Sequence, residues 1–123
     1  VASILVIDDN EANLELMLYL LRAFGHAADG RSDGLTGLEA AQSGSYALVL
    51  CDILMPGIDG YAFARRFKAD LSLSATPLVA VTALAMPDDR ERVAAAGFDG
   101  YIGKPIDPQI FVKQVEDFLP GER

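Results

Sequence analysis

Three stretches of the chain are apolar without alternation: residues 3–7 (SILVI), 47–51 (ALVLC) and 77–81 (PLVAV). Runs of this kind suit parallel strands buried on both faces, because neither face offers a place for polar residues. Between them the period changes. Leu14, Met17, Leu18 and Leu21 recur at helical spacing and predict a helix over 11–24, with Asn10 as its cap and Gly25 as its stop. Leu16 and Leu20 widen that stripe, most simply into a broad core face. Asp59 is placed to cap a helix running to about 69, with Phe63 and Phe67, four apart, on its inner side. A helix over about 88–96 stops at Gly97 and offers, apart from Val93, only alanines to a core. A short strand over 100–102 comes just before Lys104. The last helix is expected to start near Asp107, with Pro108 in its first turn. Phe111, Val115 and Phe118 are its buried stripe, and Pro120 with Gly121 ends it. From 25 to 47 the pattern fades. Residues 27–29 predict a short strand and 35–41 a short helix, but Gly30, Gly34 and Gly37 oppose a helix by roughly 1 kcal/mol each relative to alanine. Strand and helix alternate about five times, which predicts a parallel sheet covered by helices on both faces.

That order puts polar residues together. Asp8 and Asp9 follow the first strand, Asp52 follows ALVLC, Thr82 follows PLVAV and Lys104 follows the last strand. In a parallel sheet these ends share one edge, where open α/β folds bind their ligands. Three carboxylates within a few ångströms repel by several kcal/mol at an effective dielectric of about 20, and Lys104 offsets only one. A hard divalent cation resolves the conflict, and carboxylates with water suit Mg2+ or Mn2+. Such a cation keeps positions for phosphoryl oxygens, to which Thr82 offers a hydroxyl and Lys104 an ammonium. The set favours phosphoryl transfer by positioning and charge neutralisation. Asp52, central and alone on its strand, is the candidate nucleophile, since a carboxylate can become an acyl phosphate. Asp8 and Asp9 are the candidate metal holders. His26 falls in the loop before the second strand, away from this edge, and Cys51 should point into the core.

Composition narrows the alternatives. A chain of 123 residues, 51% hydrophobic, is enough for one domain with a real core and too short for two. A net charge of −8 disfavours sequence-independent nucleic-acid binding. No apolar run approaches the ~18 residues that span a bilayer, and no secretory signal opens the chain. A single cysteine excludes an internal disulfide and fits a reducing cytoplasm. The missing initiating Met points to a processed product or an excised piece.

The residues also carry a resemblance. "DD" at 8–9, "DILMPGIDG" from Asp52, "VTA" ending at Ala83 and "KP" at 104–105 resemble, in order and spacing, the receiver domain of two-component response regulators. Each dipeptide alone would say little; jointly they are specific, and the resemblance runs along essentially the whole chain. It implies one domain over 1–123 with a flavodoxin-like, doubly wound five-stranded sheet of order 2-1-3-4-5 and five helices. It implies a phosphoacceptor domain rather than an enzyme acting on other substrates, phosphorylated on Asp52 by a histidine kinase or histidine phosphotransfer protein. By the same resemblance Asp9, Asp52 and the Leu54 backbone carbonyl would ligate Mg2+ directly, with Asp8 acting through water. Thr82 and Lys104 would hold phosphoryl oxygens, and Ala83 would leave the group room. Tyr101 would be the aromatic switch, moving inward as Thr82 is drawn to the phosphate. Lys104–Pro105 would be a cis peptide. The face of the fourth helix, fifth strand and fifth helix would carry the output to a protein partner. Leu54 and Leu84 flank the site and are both apolar, so neither can orient an attacking water, and self-dephosphorylation should be slow.

Blander readings exist residue by residue. Asp8–Asp9 could cap a helix, Asp52 could sit in a solvated turn, and Lys104 could be a surface charge. Together these require four coincidences on one edge. A phosphatase of the haloacid dehalogenase type also uses an aspartate and Mg2+, but wants a second aspartate two residues on, where Leu54 stands. A pseudo-receiver that binds partners unphosphorylated would not need the full acceptor set. The residues identify neither kinase nor pathway, and oligomeric state stays open. No output domain follows the last helix here, which fits either a stand-alone regulator or a receiver from a hybrid kinase or larger regulator.

Overall fold

Alternate residues of the apolar strands feed two separate cores. Leu5, Ile7, Val49, Cys51, Leu78 and Ala80 face one side of a sheet, and Ile4, Val6, Leu48, Leu50, Val79 and Val81 the other. The structure is a computed structural model and describes residues 2–55, 57–83 and 87–119. Its strands are β1 Ser3–Ile7, β2 Ala27–Arg31, β3 Leu48–Cys51, β4 Leu78–Thr82 and β5 Gly100–Gly103, all parallel, in the order β2-β1-β3-β4-β5. The helices are α1 Glu11–Ala23, α2 Gly34–Ser43, α3 Gly60–Ala69, α4 Pro87–Ala96 and α5 Phe111–Glu116. Elements α1 and α5 cover the face of Ile4 and Val6, and α2, α3 and α4 cover the other. This is the parallel, helix-covered sheet that the residue pattern predicts, in the doubly wound, flavodoxin-like order that the resemblance implies. Among the described residues, no helix is long and apolar enough to cross a membrane.

Helix starts follow the expected chemistry. The Asn10, Asp33 and Asp59 side chains accept hydrogen bonds from the backbone N–H of Asn13, Thr36 and Ala62, each satisfying an otherwise orphaned donor. Phe63 and Phe67 are fully buried with ring centroids 5.7 Å apart. Leu20 is buried and Leu16 packs on the core, so the wide apolar stripe of α1 is a core face.

Two elements depart from expectation. The last helix begins at Phe111, not near Asp107, because Asp107 builds a turn of its own. Its carboxylate accepts from Gln109 N–H and its carbonyl accepts from both Ile110 and Phe111 N–H. In this short helix Val112 is buried beside Phe111 and Val115; just beyond it Leu119 is buried, while Phe118 is only half-buried. The glycine-rich stretch is a full helix, α2, ten residues long. A Cβ at Gly37 would lie 2.5 Å from Ile7 Cδ1, so the glycine that weakens the helix is what lets it settle on β1. Leu84, Met86, Pro120, Gly121 and the proline of "MPGIDG" lie outside the described residues.

The α3 start matters most for function. Gly60 N–H donates to the Ile53 carbonyl, and a Cβ at Gly60 would lie 2.5 Å from both the Asp52 carbonyl oxygen and Ile53 Cα. These are backbone atoms, which cannot swing aside as a side chain can. The Gly60→Ala variant is therefore expected to lose about 1–3 kcal/mol of stability in denaturant unfolding. An unchanged midpoint would mean that the loop yields freely.

Candidate functional site

The shared edge forms as the topology requires. Asp8 and Asp9 leave β1, Asp52 leaves β3, Thr82 ends β4 and Lys104 leaves β5. The order β1-β3-β4-β5 makes these four strands consecutive neighbours. Register then sets their level: Ile7 pairs with Cys51, Cys51 with Ala80, and Thr82 with Gly103. Lys104 N–H also donates to the Thr82 carbonyl at 3.0 Å.

Burial separates the acidic residues. Asp8 is fully buried, Asp52 is 5% exposed and Asp9 faces solvent. One oxygen from each lies within 4.8 Å of the others. Lys104 Nζ stands 3.0 Å from Asp8 Oδ2 and 3.2 Å from Asp52 Oδ2, bridging the two buried carboxylates. Asp8 Oδ1 accepts from Asn10 N–H at 2.8 Å, while Oδ2, paired with Lys104 by charge, has no donor aligned on it. Asp52 Oδ1 accepts a long 3.4 Å bond from Leu54 N–H.

Charge is out of balance here. Burial pushes the Asp52 carboxyl above its usual range; the Lys104 ammonium pulls it back, the Asp8 charge pushes it up again, and the net is upward. For Lys104 burial works against the ammonium, but the contact and charge of Asp8, then those of Asp52, outweigh it and raise its pKa. The two shifts differ in origin, burial for Asp52 and the neighbouring carboxylates for Lys104; the charge count comes from the geometry, three carboxylates around one ammonium. Two carboxylates near 4 Å repel by roughly 4 kcal/mol at an effective dielectric of 20. A small oxygen-seeking dication fits this donor set: three carboxylates with one oxygen each within 4.8 Å of the others, against a single ammonium.

The remaining candidates sort cleanly. Thr82 is fully buried at the end of β4, and Ala83 beside it is exposed. Tyr101 is half-buried on β5, with its ring reaching along the strand toward Gly103. The Leu54 side chain is 60% exposed at the rim. The Lys104–Pro105 peptide is cis. His26 belongs to the far end of the sheet, its Nε2 2.8 Å from Glu116 Oε2. The Cys51 thiol is buried and donates to the Asp52 carbonyl; burial pushes its pKa well up, which suits packing and not chemistry. Sequence reasoning missed Gly60 as the floor under Asp52. The "DG" at 59–60 reads as a cap and nothing more, since only the tertiary approach of the β3–α3 loop reveals the demand.

Comparison with known proteins gives the same answer from a different direction. Residues 4–116 match the response regulator receiver domain family. The chain is 34% identical over 117 residues to the polar-differentiation response regulator DivK of Brucella ovis, covering 95% of each. The receiver domain of sensor histidine kinase PA1611 from Pseudomonas aeruginosa PAO1 superposes with a TM-score of 0.87 at 28% identity, over 95% of this chain and 96% of that one; its structure has a magnesium ion coordinated in the active-site cleft. Chemotaxis protein CheY4 of Vibrio cholerae shares the fold, with a TM-score of 0.91 at 24% identity over 96% of this chain and 98% of that one. With this fold, this acidic edge and these relatives, the chain belongs to the response regulator receiver domain family of two-component signalling.

Proposed function

We propose that Asp52 accepts a phosphoryl group from a histidine kinase or histidine phosphotransfer protein, and that the resulting acyl phosphate resets a partner-binding face. Receiver domains are signalling domains and not classical enzymes; they take phosphate from histidine kinases and bind Mg2+ in an acidic site. What supports the finer reading is one juxtaposition: Lys104 Nζ lies 3.0 and 3.2 Å from the buried Asp8 and Asp52 carboxylates, with Asp9 completing the acidic set. On this reading an Asp52 carboxylate oxygen attacks phosphorus in line. The bond from phosphorus to the donor's histidine nitrogen breaks, and that nitrogen keeps the electron pair. Thr82 and Lys104 hold the transferred oxygens. Asp9, Asp52 and the Leu54 carbonyl would hold Mg2+ directly and Asp8 through water, supplying charge neutralisation during transfer. The magnesium-bearing neighbour supports Mg2+, and nothing supports the Mn2+ that the carboxylate set alone would also suit.

The signal would leave through Thr82 and Tyr101. As Thr82 is drawn to the phosphate, Tyr101 moves inward and α4 shifts, altering the face of α4, β5 and α5. Helix α4 suits that part, because Val93 and Ala96 are its buried residues. We read residues 1–123 as one receiver domain, working in the reducing cytoplasm that a lone buried Cys51 fits.

Acetyl phosphate with Mg2+ tests the chemistry. Intact mass should rise by one phosphoryl group in the wild type and not in Asp52→Asn, and hydrogen exchange should change across α4, β5 and α5. A wild type that stays unmodified, or an Asp52→Asn variant labelled equally, would sink the assignment. Leu54, exposed and apolar beside Asp52, can orient no water; Leu54→Asn should shorten the acyl-phosphate lifetime as followed by mass spectrometry, by less than the roughly 100-fold at the low end of a full general-base contact. An unaltered lifetime would argue against slow self-dephosphorylation set at this position.

A further inference from the structure

Helix α4 is held in an unusual way. Its hydrophobic contribution is slight, yet it carries two arginines, Arg90 and Arg92, that each lie over a tyrosine of a different neighbour. The Arg92 guanidinium carbon is 4.8 Å from the Tyr61 ring centroid on α3, and that of Arg90 is 5.4 Å from the Tyr101 ring centroid on β5. Two residues apart on a helix, the side chains diverge by about 200°, so α4 is straddled between two aromatic rings. A guanidinium within ~6 Å of a ring centroid is attracted by the ring's negative face, and at an exposed site this is worth about two- to fivefold in an equilibrium.

The two contacts differ in what they restrain. Tyr61 belongs to α3, whose first turn is locked on the β3–α3 loop by Gly60. Tyr101 is the residue whose movement the proposed switch requires. Its ring reaches toward Gly103, and a Cβ there would be 3.7 Å from Tyr101 Cε1, an ordinary contact.

We propose that Arg90 is a positioning residue for the switch: its guanidinium holds the Tyr101 ring in the resting position, so the inward state forms only as that contact is given up. This rests on the reading of Tyr101 as the moving aromatic. Arg90 is exposed on α4 with its guanidinium over the Tyr101 ring, while Lys104 is the cation that pairs with Asp8 and Asp52, so Arg90 acts through Tyr101 and not on phosphate. By linkage, whatever favours the resting ring disfavours phosphate capture by the same factor. Removing Arg90 should therefore make the domain easier to activate, while loosening α4. A contact that merely stabilised the fold would lower stability and leave affinity for a phosphoryl mimic where it was.

The test uses the whole chain with Mg2+ and beryllofluoride as the phosphoryl mimic. Arg90→Gln should bind beryllofluoride about two- to fivefold more tightly than the wild type, Arg90→Lys should fall between them, and in a Tyr101→Leu background Arg90→Gln should change nothing. The chain has four tyrosines and no tryptophan, so 13C-tyrosine NMR can follow the ring directly. In metal-free protein, Arg90→Gln should shift the Tyr101 ring signals, whereas Arg92→Gln should shift those of Tyr61. Equal beryllofluoride affinity in wild type and Arg90→Gln would overturn the proposal, and so would equal movement of the Tyr101 signals in Arg92→Gln. If wild type binds no beryllofluoride at all, the phosphoacceptor reading fails, and the Arg90 assignment stands or falls on the ring signals.

Discussion

Three carboxylates and one ammonium meet at the edge of a sheet whose strands are buried on both sides. Every other functional feature depends on that crowding. The Lys104 ammonium bridges Asp8 and Asp52, but it cannot neutralise both as well as Asp9. Burial, with the Asp8 charge added against the pull of Lys104, raises the Asp52 pKa, and the two carboxylates raise that of Lys104 against its own burial. A site in this condition gains from any added cation. On the proposed reading, phosphoryl oxygens would fill that cation's remaining positions, so one electrostatic imbalance would recruit both metal and phosphate.

The fold is what enforces the imbalance. Side chains at Ile7, Cys51 and Thr82 are tied by register to neighbouring strands, and both faces of the sheet are packed, so no strand can slide to spread its charge. Gly60 closes the site from below by bringing the α3 terminus onto the Asp52 backbone. Helix α4, in contrast, lies beside the site with few buried residues and two arginine–tyrosine contacts. Rigid strands thus hold the acidic edge, and in the proposed switch the loosely held helix would report on it.

Much of this was legible in the residue pattern, and the reason is burial. Strands β1, β3 and β4 are sealed on both faces, so they must be continuous apolar runs, and the polar residue that ends each run marks the edge. Strand β2 is an outer strand in which Ala28 is the one buried residue, so AADGR carries no run to read. Helix α2 hides behind its glycines, which allow close approaches, Gly37 to Ile7 and Gly34 to Ile58, that exist only once the tertiary structure is built. The start of α5 was misjudged because Asp107 and Pro108 fit a helix cap and a turn equally well, and local hydrogen bonds chose the turn. At the site, the identity of the charged set was readable, but the contrast between buried Asp8 and exposed Asp9 was not. Adjacent identical residues give the sequence no means of ranking them. The pairing of Arg90 with Tyr101 was likewise invisible, since the two come from different elements.

Thermal unfolding of wild type and Asp52→Asn at neutral pH, with EDTA and then with Mg2+, tests the electrostatic claim most directly. Because folding raises the Asp52 pKa, ionised Asp52 costs stability above that pKa, and the cost vanishes as pH falls to the ordinary carboxylate range. Lys104 keeps Asp8 as a partner when Asp52 is neutralised. In EDTA the variant should therefore melt above the wild type, with the gap closing as the pH is lowered, and Mg2+ should raise the wild type far more than the variant. A variant less stable than wild type in EDTA, or an equal response of both to Mg2+, would contradict the account.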